Sequence, residues 1–342
     1  MSSTSLPKTD PDFVRPSGKV PGRKRPKRWM VGSAIAALVL VGAVIAYLLL
    51  TMNQLAPLLL PKLPTNLSAS QIGLAQWQEY QQPLPAHPLS NPLLPTTPQT
   101  TLSLALLEDA AGQAIIQQGN LTRGLAYLQA ATLADPDNLR LSNDYRLALR
   151  NHELYSEEQT FFVALAQKEQ TVNVNIEYAL SYVDLMRSCP KPPDGLVCQA
   201  QDSYNSIALL NKILQQEPYN ILAHYARGLN DLYWPSLMRH LPQAQQDLQY
   251  ALALSRFQQK IGPAFVPQAY IALGDAFGKA GDTTTAHQVW LNGRKVVEPQ
   301  AQALLQQRLA IPQDQLVAQE NQQLRGLGVY VDTDLSIFWR KG

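Results

Sequence analysis

Between about residue 101 and residue 326, apolar side chains recur at intervals of three and four, in runs broken by short Gly, Asn, Asp and Pro punctuation. Residues three and four apart share one face of a helix, so this spacing predicts amphipathic α-helices following one another in pairs. No stretch with a period of two competes until the last dozen residues. A second pattern fills residues 31–52, where Val, Ala, Leu, Ile and Gly dominate and Ser33, Tyr47 and Thr51 are the polar interruptions. No charged residue falls between Arg28 and Lys62. A helix of that length, at roughly 1.5 Å per residue, reaches across the hydrocarbon of a bilayer. The run is too long, and the chain before it too extended, for a cleaved signal peptide. Residues 29–52 are therefore expected to form a single transmembrane helix.

Charge sets the direction of that span. The net charge of the chain is only +2, but residues 1–28 carry eight basic side chains against Asp10 and Asp12. The cluster Arg23-Lys24-Arg25-Pro26-Lys27-Arg28 directly precedes the apolar run, with Trp29 at the interface. Positive charge is retained on the cytoplasmic side, so residues 1–28 read as a basic, disordered cytoplasmic tail. Everything beyond residue 52 is then expected outside the cytoplasm, on the periplasmic side of the cell (inner) membrane. The remaining chain has an excess of acidic over basic groups, which leaves no basic face for a phosphate backbone and argues against nucleic acid as a partner. The small-residue pairs Gly32/Ala36 and Gly42/Ala46 allow two spans to pack closely, so a homo-oligomer is compatible with the span.

Residues 53–100 hold nine of the 25 prolines. Proline fixes φ and removes a backbone donor, so this stretch is expected to be an extended Pro-rich linker. Within it, Ser70 to Gln82 is the one patch suited to a short helix, docking on the first helix pair. At the other end, residues 327–342 form a C-terminal tail whose Val329–Asp332 and Ile337–Trp339 stretches are apolar enough to dock on the helices or on a partner.

The helical region repeats. In residues 267–300, Tyr270, Leu273, Gly274, Phe277, Gly281, Ala286, Trp290 and Pro299 fall at regular spacings, and residues 105–138 match them with Ala111, Gly112, Ile115, Gly119, Gly124, Leu128, Ala131 and Pro136. These residues resemble the tetratricopeptide repeat, with Gly293 at a place usually taken by Ala. Three less regular units lie between, over 139–172, 173–220 and 221–256, and a capping helix broken or kinked near Pro312 follows over 300–326. The resemblance implies an all-α fold: one transmembrane helix, then an α-solenoid of about five helix pairs over residues 101–326. One such pair cannot bury its own apolar face, so several must stack.

It also implies a binding surface. In the family the first helix of each pair lines a concave groove, which by register includes Asp109, Gln113, Asp184, Tyr225, Leu229, Tyr233, Asp275 and Lys279. Aromatic and apolar residues flanked by carboxylates suit an extended peptide or a partner helix. For Tyr225 and Leu229 ordinary packing between helix pairs fits equally well. The Lys and Asn residues of the family's carboxylate-clamp variety are largely missing.

Other chemistry is sparse. Cys189 and Cys198 flank a loop with two prolines and the turn signal Asp194-Gly195, so an extracytoplasmic location leads us to expect a structural disulfide. The five histidines show no metal-ligand spacing, and no Gly-rich phosphate loop, nucleophile elbow or dinucleotide fingerprint occurs. No metal or cofactor is expected. The expected function is a membrane-anchored, non-catalytic scaffold or assembly factor binding other membrane or envelope proteins. The alternative is a solute-binding or transporter-associated protein with a small-molecule pocket near Tyr233 and Trp234. An enzyme would require a buried cluster of ionisable side chains.

Overall fold

The computed structural model describes residues 60–76, 80–81, 98–191, 194–258, 261–324 and 331–340. The basic tail 1–28 and the apolar span 29–52 lie outside the described residues. Among the described residues no helix is long and apolar enough to cross a membrane.

Twelve α-helices follow one another among the described residues. They are α1 (Pro98–Gln117), α2 (Leu121–Ala134), α3 (Leu139–Asn151), α4 (Tyr155–Glu169), α5 (Val172–Leu185) and α6 (Leu196–Gln216). The series continues with α7 (Ile221–Tyr233), α8 (Leu241–Leu254), α9 (Phe265–Lys279), α10 (Thr283–Val296), α11 (Pro299–Leu309) and α12 (Gln313–Gln323). Sequence neighbours pack on one another and first helices meet the next first helix, as in α3 with α5 and α9 with α7. The result is a tetratricopeptide-like stack of five pairs, closed by α11 and α12, which both pack on α9 and α10.

Local chemistry starts and stops these helices. Side chains of Asn120, Thr171, Asn220 and Asp282 accept the backbone N–H three residues on and so cap α2, α5, α7 and α10. Gly281 ends the turn after α9 at φ +94°, in the left-handed region. Pro299 opens α11 in its first turn, where a missing N–H costs nothing. Inside the α9–α10 pair, a Cβ on Gly274 would stand 2.1 Å from Trp290 Nε1. The fully buried Trp290 indole thus lies directly on the α9 backbone.

The Pro-rich linker expected over 53–100 needs correction on two counts. Helix α1 already begins at Pro98. Residues 60–76 and 80–81 are laid onto the helices: Leu67, Ile72, Leu74 and Tyr80 belong to the main core with residues of α5 to α9. Prolines interrupt this stretch, but apolar side chains between them are buried all the same. Within the expected helical patch the described residues form a 3₁₀ turn, Ser70–Ile72, and Tyr80 is helical as well; they pack in the main core and against α3, where the expectation was the first pair. Tyr80 Oη accepts Leu139 N–H at 3.1 Å, and Tyr250 Oη donates to the Pro61 carbonyl at 2.8 Å.

The close crossing gives a direct test. Gly274→Ala should lower stability in urea unfolding by roughly 1–3 kcal/mol through overpacking against Trp290. Gly281→Ala, with open space around its Cβ, should lose only the roughly 1–2 kcal/mol of left-handed strain. A neutral Gly274→Ala would contradict the crossing.

Candidate functional site

The first helices α3, α5, α7 and α9 turn side chains toward a common face, and that face is occupied. Residues 331–340 run across it in an extended course that tightens into a 3₁₀ turn at Leu335–Phe338. At its centre Arg146 of α3 is wholly buried. Its Nε donates to Glu177 and its Nη1 to Asp184, each at 2.5 Å. Its remaining donors hold the segment: Nη1 reaches Thr333 Oγ1 at 2.8 Å and Nη2 the Thr333 carbonyl at 2.5 Å. Thr333 Oγ1 donates in turn to Asp184 and accepts from Arg150 at 2.9 Å.

Main-chain contacts continue along the segment. Arg187 Nη2 donates to the Val331 carbonyl at 3.0 Å, and Leu335 N–H donates to Asn143 Oδ1 at 3.1 Å. Gly262 N–H donates to the Phe338 carbonyl at 2.7 Å. Phe338 stacks on Phe265 with ring centroids 4.3 Å apart and meets Tyr225 edge-on at 5.6 Å. Trp339 packs on Tyr80, so the amino-terminal stretch and the carboxyl-terminal segment touch across the same region. At the outer end Arg150 pairs at 3.2 Å with the exposed Asp332.

Magnitudes bear on how firmly the segment sits. Val331, Leu335, Phe338 and Trp339 are all buried; burial of such side chains stabilises by roughly 1.5–3 kcal/mol each. The four main-chain hydrogen bonds to the face add about 0.5–1.5 kcal/mol each. Ordering each residue of the backbone opposes this by about 1–2 kcal/mol. Over residues 331–340 the two sides come within a few kcal/mol of one another.

Of the residues expected in the groove, Asp184 and Tyr225 are the ones brought directly against this segment. Leu229 and Tyr233 are partly buried beside the main core. Gln113 donates to Asp109 and also to Asp144 at 3.1 Å, tying α1 to α3, and Asp109 is fully buried. Asp275 is held by Arg308 of α11 at 2.8 and 3.0 Å. Lys279 Nζ donates to the carbonyls of Leu232, Trp234 and Leu324, which fastens the closing helices. Gln113, Asp275 and Lys279 are thus spent on bonds to neighbouring elements. The register placed them on the right helices without distinguishing a residue that faces a ligand from one that faces the next helix.

Asn143, Arg146, Arg150, Arg187 and Phe265 were not anticipated. The spacing of Asn143, Arg146 and Arg150 at i, i+3 and i+7 was the available signal: a polar stripe on a first helix otherwise rich in Leu. Trp234 is buried, bonded through Nε1 to Ser203 Oγ at 2.7 Å and stacked on His240. Cys189 and Cys198 are bridged, joining the turn after α5 to the first turn of α6. Asp202 lies beside both sulfurs, its carboxyl pushed up to about 6 by burial.

No protein-family model matches the sequence, and no curated protein does. Among solved structures the chain is similar to a thermophilic tetratricopeptide-repeat protein of Thermus thermophilus. The likeness has 16% sequence identity and a TM-score of 0.44, and covers 60% of this chain and 97% of that one.

Around Arg146 gather the carboxyls of Glu177, Asp184 and Glu158, and Arg187 pairs with Asp184 at 3.5 Å. Glu158 is fully buried, and neither of its oxygens has a hydrogen-bond partner unless it carries a proton for Asp184. Burial, with the Asp184 charge beside it, pushes the Glu158 carboxyl up to about 10. A carboxyl raised in the fold stabilises fully below its unfolded value of 4.5, and that contribution is lost as pH climbs toward the folded value. Glu320, raised to about 8 by burial and by Asp275, acts in the same direction. Lys279, lowered to about 8 by burial, opposes them: its contribution is lost as pH falls through that value. Thermal stability should therefore decline between about pH 5 and pH 8, above which Lys279 offsets Glu158. Glu158→Gln should flatten that decline, stabilising on the order of 2 kcal/mol at pH 8 and changing little at pH 5. A variant profile parallel to the wild type would place an ionised Glu158 in the fold.

Proposed function

We propose that this protein is a membrane-anchored, non-catalytic helical-repeat scaffold that binds extended segments of other envelope proteins. The observation that carries the reading is the way the first-helix face engages residues 331–340: main-chain hydrogen bonds along a chain, with an aromatic pocket for one side chain. Main-chain bonding supplies affinity for any extended polypeptide, and pockets supply the selection among them. The anchor is the apolar span 29–52, with the basic tail 1–28 on the cytoplasmic side and the helices on the periplasmic side. The Cys189–Cys198 bridge supports that side, because such bonds persist where the surroundings are oxidising.

Ionisable side chains do cluster, as an enzyme would require. The cluster around Arg146 is wholly buried, however, and its donors are spent on Glu177, Asp184 and Thr333. That arrangement holds a peptide in place.

A photo-crosslinking residue at Arg150, on the rim of the face, tests the reading in the full-length chain in native membranes. Envelope proteins captured from this position, and absent when the residue sits on the outer helix α4, are the expected result. Capture of nothing but the chain's own residues would overturn it.

A further inference from the structure

We propose that residues 331–340 are an exchangeable occupant of the first-helix face, standing where a partner segment of the same chemistry binds. That segment is extended, carries a threonine flanked by carboxylates, and places a phenylalanine five residues further on. The inference rests on the scaffold reading only for which protein supplies the segment.

Three observations carry it. The first is that the ion pairs under the polar end of the segment do not depend on it. Arg146 keeps Glu177 and Asp184 as ion-pair partners whether or not Thr333 is present. At this end, removing the segment therefore exposes a paired, polar floor that water can cover, while at the other it uncovers Tyr225 and Phe265 for an incoming aromatic side chain. The second is that recognition is largely of main chain, at Val331, Thr333, Leu335 and Phe338, which another polypeptide offers equally. The third is charge complementarity. Arg146, Arg150 and Arg187 gather at the end that receives Asp332 and Thr333, while the other end is the aromatic pocket of Tyr225 and Phe265. Hydroxyl and aromatic ring are thus read at two fixed points, and of the flanking carboxylates Asp332 is paired by Arg150 and Asp334 accepts from Asn143.

An occupant in cis lowers the apparent affinity for one in trans by the fraction of time the face is empty. The probe is a fluorescent peptide with the sequence of residues 329–342, added to the purified full-length protein. It should bind Phe338→Ala protein about tenfold more tightly than wild type, because the weakened internal segment competes less. A peptide carrying Thr333→Val and Phe338→Ala should bind neither. Absence of peptide binding to a Phe338→Ala chain that keeps its helical spectrum would overturn the proposal.

If Phe338→Ala prevents folding, the same peptide is added to native protein cleaved at a protease site inserted between residues 324 and 331. Release of the severed fragment by excess peptide supports exchange; retention of the fragment, or unfolding on cleavage, overturns it. A dimer that forms as the segment is freed and resists the peptide would make the occupant a second copy of this chain, also overturning the proposal. Peptide binding without crosslinked envelope proteins would leave the exchange standing and remove the scaffold reading. Crosslinks without peptide binding would do the reverse.

Discussion

A fully buried guanidinium is expensive to desolvate, and the central part of this molecule is organised around offsetting that cost at Arg146. Glu177 and Asp184 approach it at 2.5 Å from α5, and Asn143 and Thr333 take further donors. Removing one partner of such a buried pair leaves an uncompensated charge, with a penalty of about 3–5 kcal/mol. The pair therefore fixes α3 against α5 at one spacing, since a shift of either helix would strand a charge. Glu158 follows from the same constraint. Neither Glu158 oxygen reaches a cation, and burial with the neighbouring Asp184 charge raises its carboxyl toward the protonated form.

That network also decides what the first-helix face can hold. Its outward-facing donors are arranged for a carbonyl and a hydroxyl, and Thr333 supplies both. Further along, Tyr225, Phe265 and Phe338 bury aromatic surface among themselves. The two ends differ in kind. The polar end specifies register and keeps its internal pairs with or without an occupant, while the aromatic end provides most of the attraction. With gains and ordering entropy nearly in balance, a segment here is held firmly enough to be ordered and weakly enough to be exchanged.

The repeat was legible because it is written in steric constraints. Gly274 lies under Trp290 and Gly281 stands at positive φ, and neither tolerates substitution freely, so their spacing shows in the sequence. Gly293, where the repeat usually has Ala, is explained by Tyr270, whose Cγ would lie 2.7 Å from a Cβ there. The occupied face was harder to foresee. Asp275 and Lys279 sit on the expected helix, but their partners Arg308 and the Leu324 carbonyl belong to the closing helices. Thr333 meets Arg146 across 187 residues, and no local spacing encodes a contact of that range. Residues 60–76 were misjudged for a related reason: proline reports what the backbone cannot do, and says nothing about where Leu67, Ile72 and Leu74 will be buried.

Everything proposed for the face depends on residues 331–340 lying across it in the full-length protein. Hydrogen exchange read by mass spectrometry on peptides covering this segment measures that directly. The expected result is clear protection over 331–340, weaker than in α5 and α7, and its selective loss in Asn143→Ala/Phe338→Ala protein whose helices stay protected. Exchange of residues 331–340 at the rate of a free chain in the wild type would contradict the arrangement.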